Sequence, residues 1–286
     1  MAYAALAGVP AIVGLYSSFF PPLLYLLFGT SRHISLGMFA VIALMTGTVE
    51  QKLRTNSTSE ISHSINQSVE GNEAVEIITA LTFSIGIVLA IMAICQIHFV
   101  SAYLSDELTA GFTTGAACHV LWSQIPQIFA IKIPNQNGIF NLFRKMYDFC
   151  SKIGKTNFAA LFISICCILF LYIGKIYLNP MVSKKVSIPI PFELIVVVFT
   201  TILSNFMDFH GLHNVTVVGK IPTGLPIPTL PSLNRIGDTF PDAIIIAIVI
   251  YAISFSVAKL FAKKHHYNLN PAQEVRALAA QVYHDQ

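Results

Sequence analysis

The chain has 286 residues, 55% of them hydrophobic and 11% charged, with a formal net charge of +3 and a mean hydropathy of +0.68. Soluble domains carry about 25% charged residues, so this composition cannot cover a water-facing surface, and a soluble enzyme, a DNA-binding protein and a disordered tail are excluded. The net charge is too small to argue for a nucleic-acid partner, and the five cysteines show neither a CxxC pair nor a Cys/His ligand spacing, which excludes a disulfide framework and a zinc site.

A helix crosses a bilayer with about 20 apolar residues. Charged residues cut the chain into apolar runs that predict spans at 11–28, 34–49, 76–104, 109–131, 157–178, 189–208 and 243–262. Residues 1–9 read as the end of an earlier helix, because Met1 enters an apolar run with no basic stretch before it and so does not fit a cleavable signal. The polar loop 50–75 holds two glycosylation sequons, at Asn56 and Asn66, and is expected outside the membrane. Lys175, Lys184 and Lys185, and the basic run from Lys259 to His266, then fall on the inside, as the positive-inside rule asks. The basic 132–156 segment breaks that alternation, and an interfacial helix is expected there near 138–152, with Phe140, Phe143 and Phe149 facing lipid or the bundle. Near 215–218 a short Val-rich strand is expected, beside a third sequon at Asn214. No GxSxG, Walker or HExxH pattern occurs, so no catalytic residue, metal or cofactor is assigned.

One position offers anion chemistry. A helix N-terminus presents unpaired N–H groups and about half a positive charge, and transporters place broken helices at mid-membrane for this use. The helix opening at Ser35-Leu36-Gly37-Met38-Phe39-Ala40 follows a short apolar run, as a half-helix would. Gly37 lets an anion approach the backbone.

Several long motifs are distinctive. They are Gly14-Leu15-Tyr16-Ser17-Ser18-Phe19-Phe20-Pro21, Phe28-Gly29-Thr30-Ser31-Arg32-His33-Ile34-Ser35, Gly111-Phe112-Thr113-Thr114-Gly115, Pro189-Ile190-Pro191-Phe192-Glu193 and Val217-Val218-Gly219-Lys220-Ile221-Pro222. Together they resemble the SulP anion transporters, the solute carrier 26 family that includes pendrin and prestin. The resemblance implies an all-α multi-pass membrane protein whose transport domain holds two inverted seven-span repeats. This chain would supply the first repeat, with its first span truncated, plus the first span of the second. Residues 1–274 are then a partial transport domain and 275–286 a divergent polar tail. The tenth span and the STAS domain are expected to be missing, as in a fragment, a splice form or an imperfect gene model.

The resemblance also implies an anion site at the third-span half-helix, carried here by Gly37, Met38, Phe39 and Ala40, with Tyr3 of the first span as a lining aromatic. Many relatives have Pro where this chain has Met38, which leaves the helix start less rigid here. The implied activity is secondary transport or exchange of sulfate, chloride, bicarbonate or oxalate by elevator-type alternating access, in a multi-pass protein of the plasma membrane. The implied partners are small inorganic or organic anions, the lipid bilayer and a second copy in a homodimer. The rival readings are a non-transporting truncated isoform or regulatory partner, and a prestin-like membrane motor.

Overall fold

The computed structural model describes residues 1–34, 37–58, 67–96, 106–131, 133, 141–180, 190–209, 211, 215–219, 224, 231–232 and 235–284. Among these it is all-helical. The helices are α1 (Ala2–Ala7), α2 (Ala11–Phe28), α3 (Ala40–Thr58), α4 (Gln67–Ile94), α5 (Asp106–Ile128), α6 (Asn141–Lys152), α7 (Phe158–Ile173), α8 (Phe192–Met207), α9 (Ile236–His265) and α10 (Pro271–His284). A 3-10 turn (Ile153–Lys155) follows α6, and a π turn (Gly174–Leu178) continues α7. The expected strand at 215–218 is not formed: residues 215–219 carry no ladder, and Val215 N–H instead closes onto the Phe209 carbonyl at 3.1 Å.

A helix lies at each of the seven expected spans, with shifted ends. Among the described residues, four helices are long and apolar enough to cross a membrane: Ala11–Phe28, Glu73–Ile94, Phe158–Leu178 and Ile236–His265. The span expected at 34–49 becomes α3, which starts at Ala40 and runs through Glu50, Lys52 and Arg54. Likewise α4 begins at Gln67, well before the expected 76. Both helices extend into the polar segment because their charges find partners. Lys52 pairs with Asp242 at 2.9 Å, and Arg235 holds Glu73 at 3.5 Å and Glu76 at 3.6 Å. Of the loop expected at 50–75, residues 50–58 and 67–75 are therefore helical, and residues 59–66 lie outside the described residues. Asn56 sits within α3, its side chain outside the described set, and Asn66 lies outside the described residues.

The chain divides into two compact units, residues 1–120 with 220–286, and residues 121–219. The core of the first unit joins Leu81, Ile85 and Leu89 of α4 to Ile246, Ala247 and Tyr251 of α9 and to Val275, Leu278 and Val282 of α10. A buried Ser84–Thr239 hydroxyl pair at 2.9 Å adds a polar tie between α4 and α9. At its N-terminal end α9 carries Asp238, and at its C-terminal end Lys263, Lys264 and His265, so both ends complement the helix dipole. It stops where His266 turns left-handed, at φ 55°.

The polar tail expected from residue 275 is corrected here. Val275, Ala277, Leu278 and Val282 are buried in α10, which packs on α4 and α2. Positions 275, 278, 279 and 282 recur at i, i+3, i+4 and i+7, one face of a helix, and the buried Glu274 and Gln281 hide that face from a count of polar residues.

In the second unit Asn157 caps α7, its Oδ1 accepting from the N–H groups of Ala159 at 3.0 Å and Ala160 at 3.4 Å. A helix forms near the expected 138–152, as α6 (Asn141–Lys152). Phe149 turns inward, with ring centroids 5.3 Å from Phe129 and 6.3 Å from Trp122. Phe143 stays exposed, and Phe140 lies outside the described residues. The π turn brings Gly174 against α8, where a Cβ would come within 2.7 Å of the Phe192 ring. Phe158, Phe162, Leu169, Val197 and Phe199 all point outward, a disposition suited to hydrocarbon.

Candidate anion site

The start of α3 is fixed by backbone bonding. Its first recorded turn is Ala43 N–H to the Phe39 carbonyl at 2.9 Å. The N–H groups of Ala40, Val41 and Ile42 therefore have no acceptor within the helix, as at any helix start. Gly37, Met38 and Phe39 form the non-helical approach, while Ser35 and Leu36 lie outside the described residues. A Cβ built on Gly37 would meet nothing within 4 Å, so the space beside this backbone is open.

Two cavities share this approach. One, of about 260 Å³, is lined by Tyr3, Gly37 and Met38 together with Gly14 and Ser18. The other, of about 180 Å³, is lined by Gly37, Met38 and Phe39 with Ser17, Thr46 and Gln281. The fold thus brings Tyr3 of α1 together with Gly37, Met38 and Phe39 of the approach to α3. Ala40 lines neither cavity and contributes the first helical turn. Tyr3 is 42% exposed and reaches this place because α1 lies close on α2: a Cβ at Gly14 would sit 3.0 Å from the Ala4 Cβ. Met38 packs on Ala4, Ala7, Val9 and Ala43, and Phe39 on the main core.

The linker between α2 and α3 is held from α10. Glu274, 2% exposed, accepts from the Tyr25 hydroxyl at 2.7 Å, from the Thr30 N–H at 3.0 Å and from the Thr30 hydroxyl. Gln273 Nε2 donates to the Phe28 carbonyl at 3.0 Å, one of the carbonyls that the end of α2 leaves without a helical partner. Asn270 caps α10, accepting from Ala272 N–H at 3.1 Å and Gln273 N–H at 3.3 Å. The Ser31 and Tyr267 hydroxyls lie 2.7 Å apart, and the His33 ring stacks on His265 with centroids 3.9 Å apart. Gly29 is required where the linker begins, since a Cβ there would lie 2.5 Å from the Tyr25 ring.

Sequence reasoning missed two contributors. Glu274 stood only as the last residue of the expected transport segment, with no sign of its partners on α2. Gln281 stood in the expected tail, yet it is 9% exposed, lines the cavity beside Phe39, and has an Oε1 that meets no partner. Gln96, read within a span, sits instead in the turn after α4 with φ 54°, and His119 is exposed on α5.

A helix opening onto a cavity between packed apolar helices is an arrangement that membrane transporters use. The profile of the sulfate permease family matches residues 1–281, and the chain belongs to that family. It is 41% identical over 284 residues to the prestin of Danio rerio, covering 97% of this chain and 38% of that protein. It is 37% identical over 296 residues to the sulfate transporter of Homo sapiens, covering 97% and 40%. Among solved structures, the overall structure of SLC26A9 superposes with a TM-score of 0.89 at 32% identity, covering 99% of this chain and 44% of that one. The murine Slc26a9 anion transporter in its inward-facing state gives 0.88 at 31% identity, covering 99% and 46%. The chain therefore spans about two fifths of the length of the relatives it matches.

Proposed function

We propose that this chain is the anion-binding half of a secondary transporter that moves or exchanges small anions: sulfate, chloride, bicarbonate or oxalate. The observation that carries the reading is the α3 N-terminus, whose open backbone at Gly37 faces two cavities together with Tyr3 and Phe39. Unpaired N–H groups there replace part of the hydration of an anion without a full positive charge, so the anion is held and can leave. Transport proceeds by elevator-type alternating access between two inverted seven-span repeats, in a plasma-membrane homodimer glycosylated at Asn56 and Asn66.

A lone helix N-terminus contributes about 0.3–1 kcal/mol when exposed and about 2 when partly buried. Taking an ion out of water costs several kcal/mol. A second half-helix facing the first is therefore needed, and residues 1–286 carry the first of the two. Labelled sulfate and chloride uptake into liposomes tests both statements. A longer protein containing this segment gives saturable flux, and residues 1–286 alone give none. Absence of flux in the longer protein overturns the transport reading, and saturable flux through residues 1–286 alone overturns the need for a second half-site.

The similarity to a prestin favours one second reading, a membrane motor. Voltage-dependent charge movement without anion flux would select it.

A further inference from the structure

Two histidines from distant parts of the chain stack face to face. His33, in the linker between α2 and α3, and His265, the last residue of α9, have ring centroids 3.9 Å apart and planes 7° from parallel. Phe261, one turn earlier on α9, lies 6.5 Å from the His33 ring and 6.4 Å from the His265 ring. Tyr267 lies 5.6 Å from His33, and its hydroxyl meets that of Ser31 at 2.7 Å. Both histidines are exposed, so protons from water reach them.

The charges around the pair are basic. Arg32 precedes His33, and Lys263 and Lys264 precede His265. Lys264 and His266 act on His265 together with His33. No Asp or Glu occurs in 29–34 or in 256–270, and the carboxylate that α10 brings to this linker, Glu274, is taken up by Tyr25 and Thr30. One proton is accommodated here: α9 ends in partial negative charge, and the Tyr267 ring offers its face to a cation. A second proton meets repulsion. Two imidazolium ions about 4 Å apart have protonation steps separated by about one pH unit even at the dielectric of water.

We propose that the His33–His265 stack is a proton-sensitive clasp between the α2–α3 linker and the end of α9, closed while the pair holds one proton or none and weakened by the second. It makes this attachment of the linker responsive to the pH on the side where the basic run 259–266 lies. Its bearing on anion binding, through the linker that leads to Gly37, rests on the transport reading. The clasp itself does not.

The sign follows from linkage. In the unfolded chain the two imidazoles take up protons independently, so in mild acid the unfolded state binds more of them. Stability is complete above the ordinary imidazole range, about pH 6.5, and declines as pH falls through it. The test is NMR of the purified, histidine-labelled chain in detergent between about pH 8 and pH 5, with thermal unfolding over the same range. In the parent the two rings titrate in linked steps about one pH unit apart or more. In His265→Phe the His33 ring takes its proton in a single step, at higher pH than the second step of the pair, and in His33→Phe the His265 ring does the same. Either variant keeps an aromatic ring in the stack without a second charge, and each reduces the fall of Tm in acid. Added salt reduces that fall in the parent, because it screens exposed charges, and the control His119→Phe on α5 leaves it unchanged. If the two rings titrate independently in the parent, the proposal fails. It fails equally if the titrations are linked but Tm falls as far in both Phe variants as in the parent, because the second proton then does not weaken the attachment. Neither readout uses flux, so failure of the transport reading leaves the outcome distinct.

Discussion

Replacing Glu274 by Ala removes the acceptor that ties α10 to α2 and to the linker before α3. Three donations end on this carboxyl: the Tyr25 hydroxyl, the Thr30 N–H and the Thr30 hydroxyl. The Tyr25 hydroxyl bond is buried, and the two from Thr30 are part-buried. A donor left unpaired on burial costs about 1–3 kcal/mol. The Thr30 hydroxyl can rotate toward another acceptor, so two donors count in full, for a total of about 2–6 kcal/mol. At about 2–4 °C per kcal/mol for a chain of this size class, the central value of about 4 kcal/mol lowers the apparent Tm by roughly 8–16 °C. The measurement is thermal unfolding of the purified chain in detergent, with Glu76→Ala as the control, since Glu76 is half exposed and paired at only 3.6 Å. Tyr25→Phe costs less, about 1 kcal/mol, because Glu274 keeps its bonds from Thr30. In the Tyr25→Phe, Glu274→Ala double variant the two losses sum to less than their separate values, since they share a bond. A Glu274→Ala variant as stable as Glu76→Ala, or strict additivity in the cycle, refutes the assignment of α10 as the clasp of the linker.

Phe39→Ala, placed in a longer protein that transports, weakens anion affinity with little loss of expression, and radiolabel uptake against anion concentration reads it; unchanged affinity makes Phe39 a packing residue. Gly29→Ala drives a Cβ into the Tyr25 ring and lowers stability by about 1–3 kcal/mol, read as a Tm shift, whereas Gly111→Ala, with open space around it, does not. Ser84→Val and Thr239→Val each remove the bond between α4 and α9, while the remaining hydroxyl keeps a backbone acceptor, Ile236 or Ala80, and each costs about 0.5–1.5 kcal/mol. The double variant costs less than the sum, and denaturation of the four proteins measures the coupling. If the segment between α3 and α4 is extracellular, glycosidase treatment shifts the parent on a gel and leaves the Asn56→Gln, Asn66→Gln double variant unmoved.

Local pattern determined where the helices are. Apolar runs long enough to span hydrocarbon, cut by charges, placed α2 to the residue and located each of the other spans, because a membrane helix satisfies its own backbone and needs only length and apolarity. The motif around Gly37 marked a helix start, since the requirement for an open backbone is local. Where partners lie far apart in the chain, the pattern misled or was silent. Residues 275–284 looked polar because Glu274 and Gln281 were counted as surface, and only packing against α2 and α4 shows them buried. The polar ends of α3 and α4 looked like loop until Arg235 and Asp242, more than 150 positions away, supplied the opposite charges. Glu50 read as the edge of a loop, and its burial depends on Gly8 and Gly47 letting α1 close over it. Charge and apolarity are properties of a residue, but burial and pairing belong to pairs brought together by the fold, and those decided what surrounds the proposed anion site.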